Sequence, residues 1–332
     1  MNILMILRLI ALLSLSLTLS SCGNVGGGDV TSIRLAHTLD TGHPVHEALE
    51  YMDTALQEVS DGKMKLVIYP GGQLGSEREI IELIQIGTMG MTKVSASSLE
   101  AFVPEMKAFS LPYLFNSNEH MWKTLESDIG KGLLEVGTEF RIKGLGYFDA
   151  GSRSFYTTGK RVDDPEDLSG MKIRVMNSQS AVDMVNTMGG AATPVSWGEL
   201  YTALQQGIVE GAENNPPSFY SSKHYEVSKY YLLNEHTSIP DVIVIGTHLW
   251  NSLSEQEREW VVEAMDQATV FQRKLWAEFT EESLRKVAEA GVEVLKADKR
   301  PFQESVRSLQ QRVEGTPLES LVKSIRKLGD EQ

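Results

Sequence analysis

A single cysteine, Cys22, stands in the 332-residue chain, so no internal disulfide can staple it. Cationic side chains are also scarce. With 31 lysines and arginines against 45 aspartates and glutamates, the net charge is −14, which excludes the basic footprint that nucleic acid demands. There is no Gly-x-Ser-x-Gly elbow and no His-Glu-x-x-His zinc helix, the local signatures of two exported hydrolase classes. His43-Pro44-Val45-His46-Glu47 brings two histidines close, but Pro44 and the lack of further ligands in sequence mark it as a helix start. No metal, no other cofactor and no catalytic residue is expected.

The first residues are weakly basic through Arg8, apolar over 9–19, and small and polar at Ser20 and Ser21. That is the pattern of a secretory signal over residues 1–21, and the apolar run falls short of the roughly 20 residues a membrane span needs. Leu19-Ser20-Ser21-Cys22 resembles a bacterial lipobox, which makes Cys22 a candidate for acylation and anchorage to a lipid bilayer; the other reading is a chance cysteine beside an ordinary cleavage site. Residues 22–30, with Gly26-Gly27-Gly28, then form a flexible tether. Removing residues 1–21 takes away Arg8 and no acid, so −14 becomes −15. An anionic ligand would need arginines placed locally to hold it. A mature chain of roughly 300 residues is long for one core and suits two lobes.

Short β-type runs alternate with helical stretches, the pattern of an α/β protein. Strands are expected over 32–36, 65–69, 89–95, 145–148, 154–158, 171–176 and 242–247, with a helix over 43–58. An internal echo runs at an offset of 120: Ser76, Glu79, Gln85 and Gly87 meet Ser196, Glu199, Gln205 and Gly207. Each set reads as a capping box opening a helix that ends at glycine. Each helix is followed by a short strand bearing polar groups, Lys93 and Ser95 in the first case, Glu213, Asn214 and Asn215 in the second. Either two lobes present matching strand ends to one cleft, or two capped amphipathic helices merely look alike. Residues 254–290 lack both glycine and proline and carry apolar residues at helical spacing. They form either a helix or kinked helix pair lying across both lobes, or a coiled-coil partner.

Arg174, within Lys172-Ile173-Arg174-Val175, sits in a short apolar strand; its planar fork fits a carboxylate through two parallel hydrogen bonds. An edge-strand arginine facing water is the alternative, and Arg153 is a similar case. In Gly211-Ala212-Glu213-Asn214-Asn215-Pro216-Pro217, small residues admit a ligand to the backbone and asparagine both donates and accepts. A capped turn would read the same way.

Several ordered motifs together resemble the DctP-type solute receptors of tripartite ATP-independent periplasmic (TRAP) transporters. They are Gly72-Gln73-Leu74-Gly75 with Glu77-Arg78-Glu79, Phe109-Ser110-Leu111-Pro112-Tyr113-Leu114-Phe115, Leu168-Ser169-Gly170-Met171-Lys172-Ile173-Arg174-Val175, Glu199-Leu200-Tyr201-Thr202-Ala203-Leu204-Gln205-Gln206-Gly207 and Gly211-Ala212-Glu213-Asn214-Asn215. The resemblance covers residues 32–294. It implies a periplasmic-binding-protein-like fold of two α/β lobes, joined by hinge strands and a long interlobe helix, that closes on its ligand. It implies further that Arg174 is the principal carboxylate-binding arginine, Arg153 the second, and Asn214 a ligand-binding asparagine. Trp197 matches an aromatic set against the ligand, while His37, Glu77, Ser95 and His236 match cleft positions that vary with substrate. Lys93 joins them as the pleat-mate of Ser95.

The expected division is residues 31–151 plus 240–279 for lobe I and 152–239 plus 280–332 for lobe II. The resemblance implies a periplasmic receptor that hands its ligand to TRAP membrane subunits and is not an enzyme. Sialic-acid members carry an Ala-Glu pair and a nearby arginine where this chain has Val94-Ser95 and Ser98. A small dicarboxylate would leave His37, Glu77 and His236 little to bind, and buried polar groups left unpaired are costly. A sugar acid, a hexuronate or aldonate, is therefore expected, with a C4-dicarboxylate second. An exported enzyme acting on sugar acids and a tethered ligand sensor are the readings from other classes.

Overall fold

The structure is a computed structural model that describes residues 30–330; the signal-like segment, Cys22 and the glycine tether before residue 30 lie outside the described residues. Eleven strands are described: β1 (Thr31–Ala36), β2 (Met64–Tyr69), β3 (Met91–Ser95), β4 (Ile142–Phe148), β5 (Ser152–Thr157), β6 (Lys172–Val175), β7 (Ala191–Pro194), β8 (Gly211–Asn214), β9 (Tyr230–Ser238), β10 (Asp241–Gly246) and β11 (Glu293–Lys296). They form two sheets, ordered β2-β1-β3-β10-β4 and β11-β9-β5-β8-β6-β7. Apolar β-branched runs such as Val242-Ile243-Val244-Ile245 are buried on both faces because helices cover both sides of these largely parallel sheets.

The two sheets repeat one plan. In the first, β1 runs parallel to β2 and β3, and β10 lies antiparallel to β3 and β4. In the second, β6 runs parallel to β7 and β8, and β5 lies antiparallel to β8 and β9. β3 and β8 thus hold the same place in their sheets, which gives the 120-residue echo a structural counterpart. The antiparallel strand in each sheet arrives from the other lobe: β4 leads across residues 149–151 into β5, and β9 leads across residues 239–240 into β10. Two crossings of two or three residues make a hinge.

The helix Pro44–Val59 starts where His43, in extended conformation, accepts a hydrogen bond from the Val45 amide, with Pro44 in the first turn. It buries Val45, Leu49, Met52 and Leu56 at helical spacing against the first sheet, each such side chain contributing about 1.5–3 kcal/mol. The long element is one unbroken helix, Glu255–Glu289, opened by a capping box between Ser254 and Glu257. At 1.5 Å per residue it spans about 53 Å. Val261, Ala264, Met265 and Ala268 enter the core of the first lobe, and Val287 enters that of the second. The helix therefore braces both lobes within one chain.

Two details differ from expectation. Ser196 does not form a capping box: its segment opens with the single tight turn Trp197–Glu199, in which Ser196 makes no side-chain cap, whereas Ser76 and Glu79 cap each other as expected. The end of the chain, expected in the second lobe, packs on the first. Val313, Val322 and Ile325 join Ala108, Leu111 and Leu114 in one apolar cluster, and the His120 ring meets the Ile325 carbonyl at 2.8 Å. The cause is the apolar stripe of the amphipathic helix Glu319–Asp330, which is buried on the helices Asn118–Glu126 and Asp128–Val136.

Candidate functional site

The carboxyl ends of β3, β6 and β8 open onto one cleft between the lobes, the position at which open α/β sheets hold ligands. Its empty volume, including the mouth, is about 860 Å³. Of the residues expected in the site, Arg153, Arg174, Trp197 and Asn214 line it from the second lobe, and Glu77, Lys93 and Ser95 from the first.

On the second-lobe wall the two arginines differ sharply. Arg153 lies near the start of β5 and Glu213 on neighbouring β8, opposite Phe155, so the two long side chains meet across a two-residue offset. Arg153 Nε donates to Glu213 Oε2 at 2.5 Å and Nη2 to Oε1 at 2.9 Å, while Nη1 donates to Asn214 Oδ1 at 2.7 Å. Burial alone would raise the Glu213 carboxyl, but the Arg153 guanidinium outweighs it and holds the group down to about 2. Arg174, on β6, gives Nε to the Val195 carbonyl at 2.8 Å and sets its guanidinium carbon 5.7 Å from the Trp197 ring centroid. It is buried, yet its Nη1 has no partner among the described residues. Burial lowers its pKa, since a cation taken from water without a matching anion is costly.

The first-lobe wall is built differently. Lys93 Nζ lies 3.3 Å from Glu77 Oε1 and 3.2 Å from Asp241 Oδ1, so one ammonium serves two carboxylates. Glu77 Oε1 also accepts from the Ser95 amide at 3.3 Å, and Oε2 accepts from Ser98 Oγ at 2.5 Å. Helix and strand join here because the capped helix Glu77–Gln85 starts directly above the end of β3.

His37 and His236 do not line the cleft. His37 is buried within the first lobe just past β1, where Nδ1 accepts from the Leu39 amide at 3.2 Å; Nε2 therefore carries the proton it shares with His46 Nδ1 at 3.0 Å. Burial, with Lys93 nearby, lowers it to about 3. His236 stacks on Phe155 with ring centroids 4.5 Å apart, and its Nε2 lies 3.5 Å from Glu213 Oε2, behind the Arg153 pair. Sequence reasoning missed His43, Trp276, Ser98 and Asp241, all of which line the cleft. His43 Nε2 meets Ser218 Oγ at 3.1 Å and so joins the lobes, while Trp276 reaches in from the long helix. Asp241 had one available signal: it immediately follows the second crossing, the counterpart of Arg153 after the first.

Two hinged lobes around a polar cleft that holds an unmatched buried guanidinium define a ligand-trapping receptor. The model of bacterial extracellular solute-binding protein, family 7 (DctP), matches residues 35–316. A solute-binding protein of Chromohalobacter salexigens is 36% identical over 287 residues, 86% of this chain and 85% of its own. The TRAP periplasmic solute-binding protein of Bradyrhizobium sp. BTAi1, solved in complex with α/β-D-galacturonate, is 37% identical with a TM-score of 0.87, covering 89% of this chain and 99% of that one. That of Anaerococcus prevotii, with bound α/β-D-glucuronate, is 36% identical with a TM-score of 0.88, covering 91% and 99%. The chain belongs to the DctP family, the periplasmic solute receptors of TRAP transporters.

Proposed function

We propose that this receptor captures a hexuronate, with Arg174 as the carboxylate anchor. The observation that carries the reading is the buried, unpartnered Nη1 of Arg174 on the cleft wall. Arg153 is already saturated by Glu213 and Asn214, so it shapes the wall and holds Asn214 more than it supplies free charge. Asn214 keeps its amide nitrogen for the guest, Trp197 offers a ring face, and Glu77, Lys93 and Ser95 meet hydroxyl groups across the cleft. The relatives solved with galacturonate and glucuronate support this choice of ligand. His37 and His236 act from behind by positioning the lining. Contacts from both lobes stabilise the closed arrangement, which the membrane subunits recognise; the receptor performs no chemistry on its ligand. Leu19-Ser20-Ser21-Cys22 supports acylation of Cys22, which would tether the receptor to a membrane surface.

The test is a thermal-shift panel of D-galacturonate, D-glucuronate, aldonates, C4-dicarboxylates, sialic acid and amino acids, because a ligand bound only by the native state raises the melting temperature. A shift confined to the hexuronates is expected. A shift with C4-dicarboxylates and none with hexuronates would reassign the ligand.

A further inference from the structure

The charged groups of the cleft, sorted by partner, are distributed unevenly between its walls. On the second lobe, Arg153 and Glu213 cancel, which leaves Arg174 as one uncompensated cation. On the first lobe, Lys93 faces both Glu77 and Asp241, which leaves one carboxylate in excess. Arg78 also lines the cleft, but its side chain is 58% exposed and pairs with Glu82 at 3.1 Å, so water screens it. The buried part of the cleft is thus cationic on one wall and anionic on the other.

We propose that Glu77 and Asp241 together make the receptor reject ligands that carry a second carboxylate. The inference rests on Arg174 holding the first carboxylate of a hexuronate. The far end of such a guest is a sugar hydroxyl, which can donate to Glu77 or Asp241. Oxidising that end gives an aldarate of the same carbon count, whose second carboxylate faces two anions that share a single ammonium. Like charges set together at a desolvated interface cost several kcal/mol. Lys93 alone does not neutralise three carboxylates. The wall therefore adds a charge barrier between cyclic hexuronates and their open-chain six-carbon di-acids to whatever the change from ring to chain already costs, and only the charge part responds to Glu77 and Asp241.

Calorimetric titration of the wild-type protein with D-galacturonate and with galactarate reads this directly. Galactarate is expected to bind at least 100-fold more weakly. Glu77→Gln, which removes one anion and leaves Lys93 matched by Asp241 alone, should narrow that ratio at least tenfold, chiefly by tightening galactarate; Asp241→Asn should act in the same direction. Melting curves establish that each variant is folded, and the change in the ratio between wild type and variant isolates charge from the difference between ring and chain. Galacturonate and galactarate binding within threefold of each other would overturn the proposal while leaving the hexuronate assignment standing. So would a ratio that both variants leave unchanged. Failure of galacturonate to bind would overturn the hexuronate reading and this inference with it.

Discussion

Arg153 and Glu213 grip each other across two adjacent strands of the second lobe, through two side-chain hydrogen bonds of 2.5 and 2.9 Å, both residues buried. The pair is a structural strut. Removing one charge leaves the other buried and unmatched, so Glu213→Gln should cost about 3–5 kcal/mol of stability. Chemical denaturation of the ligand-free protein measures it. A loss below about 1 kcal/mol would show that Arg153 finds another partner.

Arg174 should behave in the opposite way. It holds no protein carboxylate, so Arg174→Met relieves an unpaired buried charge and should leave the melting temperature equal or higher. Binding should weaken by about 2–5 kcal/mol, the usual cost of truncating one partner of a buried charge pair. Comparing melts with calorimetry on the same variant separates the two effects.

Stability should fall as the pH drops below 6.5. The His37 ring is held neutral with a pKa of about 3, whereas in the unfolded chain it titrates near 6.5. Between those values the unfolded chain binds a proton that the native one does not, so acid favours unfolding. Burial lowers His43, His224 and His236 in the same direction. Glu213 adds a later loss as the pH falls from its unfolded value of 4.5 toward about 2. Unfolding free energies at pH 7.5 and pH 5 should differ, and His37→Gln should reduce that difference by on the order of 2 kcal/mol.

Across the cleft mouth, Glu100 of the first lobe accepts hydrogen bonds from Ser178 Oγ at 2.7 Å and the Ser180 amide at 3.0 Å, at the start of the helix Gln179–Thr187. A carboxylate at a helix N-terminus is favourable, and this one exists only while the lobes are together. Glu100→Ala should raise the dissociation rate about tenfold, the effect of losing about 1.5 kcal/mol. Because Glu100 does not line the cleft, the factor should be the same for every ligand. Stopped-flow dissociation of galacturonate and glucuronate checks this.

Much of this architecture was legible because it is locally encoded. Ser76 and Glu79 cap a helix through contacts three residues apart, and the run 254–290, free of glycine and proline, reads as helical; that it is one unbroken helix bracing both lobes, and not a kinked pair or a coiled-coil partner, is decided by packing. The seven expected strands are present, and Arg174 is legible as an arginine in an apolar strand. What was hidden depends on packing between distant segments. Nothing near Ser196 announces that it faces the cleft instead of capping its turn. The docking of residues 313–330 on the first lobe is decided by an apolar surface some 200 residues away in sequence. His37, one residue past β1, and His236, on β9, both face inward, and in a strand such as β9 period alone does not tell the two faces apart.

The central claim is that an unmatched guanidinium at position 174 selects the guest by its carboxylate. Calorimetric titration of the wild-type receptor with D-galacturonate and with D-galactose, which differ in that group, tests it most directly. Saturable binding of the acid and no measurable binding of the neutral sugar is the predicted result; comparable affinities for the two would contradict it.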